Sequence, residues 1–75
     1  MKRTERFTLK EYQKDSFAAM FRDLCKEANV FPPNPFHFDR NDDLHTIEID
    51  REIVDKLDQS KINDLPFIVR TTIVS

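Results

Sequence analysis

The longest regular pattern of apolar positions lies between Leu9 and Ala28. Apolar residues recur there at intervals of three and four, which places them in one stripe along an α-helix. The members of the stripe are Leu9, Tyr12, Phe17, Met20, Phe21, Leu24 and Ala28. Asn29 follows, and asparagine is the non-glycine residue best suited to the left-handed position after a helix end. We therefore predict one long helix that ends at Asn29.

The start of this helix carries two capping signals. Thr8 and Glu11 have the spacing of a capping box, in which a threonine precedes the helix and a glutamate folds back onto it. Phe7 and Tyr12 occupy the positions of the hydrophobic staple that accompanies such a box. The pattern predicts that the helix begins after Thr8 and that residues 1–7 form an N-terminal arm.

Residues 30–38 form a connector rich in proline and phenylalanine. Prolines 32, 33 and 35 fix φ and remove backbone donors, so the segment is predicted to be extended. Its three phenylalanines, Phe31, Phe36 and Phe38, carry more apolar area than a flexible linker uses. We expect the connector to pack against the domain, with Phe31 and Phe36 as candidates for docking a partner.

The segment from Leu44 to Ile49 alternates between apolar and polar residues, which predicts a strand with Ile47 and Ile49 inward. Residues 39–43 have the composition of a turn and lead to a predicted hairpin with residues 36–38. Asp50 is placed to cap a second, short helix that ends near Ser60.

Residues 67–74 are rich in β-branched side chains, which predicts a last strand. Along it, Val69 and Ile73 share one face, while Arg70 and Thr72 lie on the other. The resulting fold is α+β: one long N-terminal helix packed on a small two- or three-stranded sheet, with the order α-β-β-α-β. Both parallel and antiparallel pairing of the two strong strands fit the linker between them.

The chain has 75 residues, and we expect residues 1–75 to form a single small domain. A domain of this size buries only roughly 60–65% of the surface of its unfolded chain, so pairing with another chain would add stability. The apolar last strand would provide such an edge, and we expect a homodimer through it.

Glycine is absent, which excludes the glycine-rich phosphate loops of nucleotide-binding proteins. The single cysteine, Cys25, rules out an internal disulfide and favours a reducing compartment, so a cytoplasmic location is expected. We interpret Cys25 as a small buried hydrophobic residue. No apolar run has the ~18 residues of a membrane span, and no secretory signal is visible.

Charge is unevenly distributed along the chain. Residues 1–30 hold seven basic and five acidic side chains, net +2, whereas residues 39–64 hold four basic and nine acidic, net −5. An acidic surface formed by residues 42–58 would steer a partner protein with a basic surface. The residues proposed for partner binding are Phe31, Phe36, Asp42, Asp43, Asp55, Asp58, Ile73 and Val74.

A metal site and an enzyme active site are the other kinds of site to consider in this sequence. His37 and His45 flank the acidic turn and would make a metal site if they faced each other, but no known ligand spacing is present, and surface histidines are the expected arrangement. No catalytic constellation and no cofactor site is recognised, so an enzyme is not expected. The sequence favours a small intracellular protein-binding regulator or inhibitor of the phage-encoded or antitoxin type. The alternative is a nucleic-acid-binding regulator that uses Arg3, Arg6, Lys10 and Lys14.

Overall fold

A computed structural model describes residues 2–31 and 38–74. In chain order, its elements are β1 (Arg3–Lys10), α1 (Glu11–Glu27), β2 (Asp39–Asn41), β3 (Leu44–Asp50), α2 (Arg51–Asp55), α3 (Gln59–Asn63) and β4 (Val69–Val74). The α+β class is confirmed. The predicted order α-β-β-α-β is wrong, since the described elements follow as β-α-β-β-α-α-β.

A four-stranded antiparallel sheet with the order β2-β3-β1-β4 takes the place of the predicted two or three strands. The predicted N-terminal arm is wrong, because residues 3–7 belong to β1, one of the two inner strands of the sheet. Glu5, Phe7 and Leu9 point to the buried side of the sheet, and the residues between them point away. One of these inward residues, Glu5, is a carboxylate. The segment is therefore predicted to be a polar arm, although its residues alternate as in a strand.

Helix α1 begins two residues later than predicted, at Glu11. Thr8 and Leu9 lie in β1 instead, where Leu9 is fully buried in the core. The backbone N–H of Lys10 donates to Oε1 of Gln13 at 2.9 Å, so Gln13 supplies the reciprocal contact expected of Glu11. Tyr12 is 79% exposed and makes no hydrophobic staple.

The other end of α1 agrees with the prediction. Asn29 has φ of 59°, the left-handed conformation expected after the helix. Its N–H donates to the Lys26 carbonyl at 3.1 Å, and the N–H of Val30 donates to the Cys25 carbonyl at 2.9 Å. These two bonds make a Schellman motif, which satisfies carbonyl groups that the helix leaves unpaired.

The core lies between α1 and the inner face of the sheet. Phe17 packs on Phe7 with ring centroids 5.2 Å apart and stacks on Phe21 at 5.9 Å. Phe38 meets Phe17 edge to face at 6.2 Å, so this end of the connector packs on the domain as predicted. Cys25 is buried, and its burial raises the pKa of the thiol, which suits a packing role.

The hairpin forms with a shorter turn than predicted. Asn41 pairs with Leu44, which leaves Asp42 and Asp43 as a two-residue loop, and Asp42 adopts a positive φ of 56°. β3 therefore pairs with β2, Asp39–Asn41. The prediction that residues 36–38 form the other strand of the hairpin is wrong at Phe38, which precedes β2. Phe36 and His37 lie outside the described residues. Ile47 and Ile49 point inward, as predicted.

Two short helices replace the predicted single one. Asp50 precedes α2, but its side chain makes no capping hydrogen bond. Asp58 interrupts the helix and caps α3, accepting from the Ser60 N–H at 3.1 Å and from the Ser60 hydroxyl at 2.7 Å. Gln59 donates to the carbonyls of Val54 and Leu57, which holds the junction between the two helices.

Asn29 offers a test of this backbone geometry. Replacing Asn29 by valine should lower the free energy of unfolding by about 1–2 kcal/mol, because a β-branched residue disfavours the left-handed conformation. Asn29→Gly should be at least as stable as the parent, since glycine has no Cβ penalty. Urea denaturation measures both. Asn63, in α3, is the control position. There the glycine variant should not be more stable than the valine variant, because glycine is the poorer helix former. Equal midpoints for the two Asn29 variants would contradict the assignment.

Candidate protein-binding site

A buried ion cluster ties three elements together at Glu5. This carboxylate is 1% exposed and accepts from Arg51 Nη1 of α2 at 2.7 Å, from Arg70 Nε of β4 at 3.1 Å and from the Thr72 hydroxyl at 2.8 Å. Burial by itself raises the pKa of Glu5. The hydrogen bonds from Thr72 and Arg70, with the charges of Arg70 and Arg51, outweigh it and hold that pKa below its ordinary value. Glu5 is therefore a fixed anion with a structural role, and it is poorly suited to act as a general base.

A charged depression of about 500 Å³ lies beside this cluster. Its lining has three basic and three acidic residues: Lys2, Arg3, Asp50, Arg51, Glu52 and Asp55. Several of these charges already neutralise one another. Lys2 Nζ lies 3.6 Å from an Asp50 oxygen, and Arg51 Nε donates to Asp55 at 2.8 Å. With balanced charge, the depression favours neither a cationic nor an anionic ligand.

A second depression, of about 220 Å³, lies between α1 and α3 and has a different character. We call it the α1–α3 groove. Its lining is Met20, Asp23, Leu24, Glu27, Lys61, Asp64 and Leu65. We call its apolar members the floor and its charged members the rim; the rim has three carboxylates and one ammonium group, which gives a net charge of −2. Met20 is 40% exposed although it belongs to the apolar stripe of α1.

An ion pair joins the two sides of the α1–α3 groove. Lys61 Nζ of α3 donates to Glu27 Oε2 of α1 at 2.7 Å, and both side chains are about half exposed. The hydrogen bond and the charge of Glu27 raise the pKa of Lys61. The groove thus already holds one cation against its acidic rim, while Asp23 and Asp64 are exposed at the same rim.

The residues predicted to bind a partner do not meet on one surface. Asp42 and Asp43 lie at the hairpin tip, whereas Asp55 follows the opposite end of β3 and pairs with Arg51. Asp58 caps α3. The single acidic surface expected for residues 42–58 is therefore split by the length of β3.

The apolar candidates are also spread out. Phe31 is 74% exposed just beyond the end of α1, while Ile73 and Val74 lie on β4, where Val74 is 55% exposed. Phe36 lies outside the described residues. No pattern in the sequence indicates the α1–α3 groove, because its two sides lie more than thirty positions apart along the chain.

His45 is buried, which corrects the expectation of a surface histidine. It shares the inner face of β3 with Ile47 and Ile49 and is 5% exposed. Its Nε2 makes no hydrogen bond and lies 3.7 Å from Glu11 Oε2. Among the described residues, no group of three or more potential ligands is placed to hold a metal ion.

The basic residues considered for nucleic-acid binding are partly occupied by carboxylates. Arg6 Nη2 lies 2.6 Å from Glu48 Oε1 on the sheet face away from α1, and Lys2 lies near Asp50. No helix in the described part of the chain is long and apolar enough to cross a membrane. Comparisons with family models, curated proteins and solved structures found no match. The geometry of this chain is thus the basis for the proposals below.

The cluster at Glu5 predicts a pH-dependent stability. Glu5→Gln removes the charge while keeping the shape, and it leaves two guanidinium groups without their buried partner. We expect a loss of about 3–5 kcal/mol in the free energy of unfolding at neutral pH, measured by urea denaturation. Glu48→Gln, which removes an exposed partner of Arg6, should cost less than about 1 kcal/mol.

The sign of the pH effect follows from the lowered pKa of Glu5. A depressed carboxyl pKa contributes stability that is complete above the pKa of the unfolded chain and is lost as pH falls through the folded pKa. The parent should therefore lose stability in acid more steeply than Glu5→Gln. Parallel stability curves for the two proteins would show that the carboxylate is not held as described.

Proposed function

We propose that this protein is a small non-enzymatic regulator or inhibitor that binds another protein, and that the α1–α3 groove receives a cationic segment of that partner. The observation that carries the proposal is the combination of an apolar floor with an acidic rim. Sites that receive a small ligand or a single side chain are typically concave and mostly apolar, with a few polar groups that fix orientation. Here Asp23, Glu27 and Asp64 supply those polar groups.

The chemistry of the groove specifies the partner. Its floor accepts an aliphatic side chain, since the partly exposed Met20 offers flexible apolar surface of the kind used in adaptable binding sites. Its rim attracts a positive charge. A lysine or arginine flanked by apolar residues satisfies both demands, because these side chains carry an aliphatic stem and a charged head.

The ion pair between Lys61 and Glu27 determines which carboxylates are open to a cation of the partner. The arriving cation competes with Lys61 for the Glu27 carboxylate, or binds the exposed Asp23 and Asp64 beside it. Because the groove lies at the surface, these contacts contribute modestly one by one and depend on salt. Electrostatic attraction by the acidic rim would also accelerate association.

The alternative function, nucleic-acid binding, has weaker support. Arg6 and Lys2 are near carboxylates, and Lys14 lies on α1 instead of on the strand that carries Arg6. A phosphate-binding surface is built from clustered cations whose charge is free to replace counterions. The predicted role of Phe31 and the phage or antitoxin affiliation stay predictions, and the comparison of variants below tests the predicted role of Asp42 and Asp43 against that of the groove.

Two double variants test the groove against an acidic surface in general. Asp23→Asn with Asp64→Asn removes two rim charges, whereas Asp42→Asn with Asp43→Asn removes the same charge at the hairpin tip. Each protein is immobilised, used to capture proteins from a cell extract, and compared by mass spectrometry. We expect partners retained by the parent and by the tip variant to be lost from the rim variant.

Affinity for one captured partner is then measured at two salt concentrations. The rim variant should bind about fivefold more weakly, since two exposed ion pairs of about 0.5 kcal/mol each contribute about 1 kcal/mol. Met20→Ala should also weaken binding without a change of charge, which purely electrostatic attraction would not explain. Identical capture and affinity for the rim and tip variants would contradict the proposal.

A further inference from the structure

The two edges of the sheet differ in how they are protected. β2 has three residues, all exposed, and two of them are charged. Short length and charge are the usual protection of an edge strand against pairing with another chain. β4 has six residues, contains neither lysine nor proline, and lies at the other edge, next to β1 alone in the described sheet.

Exposed apolar side chains are concentrated at this second edge. Six large hydrophobic residues are exposed in the described structure, and three of them, Ile68, Val69 and Val74, lie within seven consecutive positions at β4. The only charged residue of β4 is Arg70, and its guanidinium is bound to Glu5 on the inner face. The edge is therefore neutral toward an approaching strand.

The faces of β4 follow from its register with β1. Arg70 and Thr72 stand opposite Phe7 and Glu5, so they share the inner face. Val69, Thr71 and Ile73 stand opposite Thr8, Arg6 and Thr4, so they lie on the open face, the side of the sheet away from α1. Even-numbered residues of β4 thus lie on the inner face, and odd-numbered residues lie on the open face.

Symmetry restricts how β4 pairs with a second copy of itself. Two antiparallel edge strands in one sheet are related by a two-fold axis perpendicular to the sheet, and this operation keeps the open faces of both copies on the same side. Residues opposite each other must then lie on the same face, so the axis passes through a residue and not between two residues. The candidates at the middle of β4 are Thr71 and Thr72.

An axis through Thr71 matches the side chains best. Val69 then faces Ile73 of the other copy, twice by symmetry, which gives two β-branched apolar pairs on the open face. Extending the ladder by one residue brings the exposed Ile68 opposite the exposed Val74. An axis through Thr72 would instead place Arg70 opposite Val74 and Thr71 opposite Ile73, and it would give Val69 no partner within Val69–Val74.

We infer that β4 pairs antiparallel with β4 of a second copy of this chain, with the two-fold axis at Thr71, to make one continuous eight-stranded sheet. The pairing uses the backbone groups that β4 directs away from β1 and covers the apolar side chains at the edge. It shares no residue with the α1–α3 groove, so each proposal stands or fails on its own.

Disulfide cross-linking tests the register of the two β4 strands directly. Directly opposite residues in antiparallel strands have Cα atoms about 4.5–5.5 Å apart, within the range that a disulfide spans. Thr71→Cys should therefore give a covalent dimer under mild oxidation. Thr46→Cys, a control on the open face of β3, should stay monomeric on a non-reducing gel, as should the parent with its buried Cys25.

Charge variants test the same register without a covalent bond. Val69→Lys alone and Ile73→Glu alone should each raise the dimer dissociation constant by about tenfold or more, measured by sedimentation equilibrium. The double variant should recover dimerisation, because the lysine introduced at position 69 then faces the glutamate introduced at 73 of the other copy. Thr46→Lys is the matched control and should leave the dimer intact.

Two results would overturn the inference. A parent protein that stays monomeric up to millimolar concentration has no such interface. A dimer that Thr72→Cys links and Thr71→Cys does not would place the axis elsewhere. Far-UV circular dichroism of each variant establishes that the monomer is folded before its association is compared.

Discussion

The buried carboxylate of Glu5 is the constraint on which the arrangement of the sheet depends. It lies on the inner face of β1, the face that also carries Phe7, where water is excluded. A charge in such a place persists only when opposite charges and hydrogen bonds replace its hydration. Arg51 and Arg70 do this from two different elements. The positions of α2 and β4 are therefore tied to the two oxygens of one side chain in β1.

This constraint also affects which side chains of β4 lie on the open face of the sheet. An ordinary amphipathic strand turns its apolar residues inward. In β4, Arg70 and Thr72 turn inward to reach Glu5, and strand alternation then sends Val69 and Ile73 to the open face. The contacts of Arg70 and Thr72 with Glu5 thus account for Val69 on the open face, whereas the exposed Val74, which stands opposite Arg3, has the parity of the inner face. The α1–α3 groove arises separately, where α3 leaves Met20 of the apolar stripe half covered.

Local sequence patterns predicted the correct structure where a segment fits one kind of element, and they failed where the same segment fits both a helix start and a strand. Asn29 ends the helix as predicted, since its conformational preference acts within one turn. Ile47 and Ile49 point inward because their alternation has no competing pattern. Thr8 and Glu11 match a capping box, but Leu9 and Phe7 gain more by burial in β1, so the strand extends through the predicted helix start. The groove could not be predicted, since no local pattern brings Asp23 near Asp64.

The sequence by itself determined the α+β class, the long helix with its C-terminal end, the strand at residues 44–49 and the last strand. These depend on periodicity and on residue preferences, which act over a few positions. Only the tertiary structure decided that residues 3–10 form an inner strand of the sheet, that His45 is buried and that β4 lies at an edge. Those outcomes depend on pairing between distant segments, where the burial of Phe7 and Leu9 and the neutralisation of Glu5 outweigh local preference.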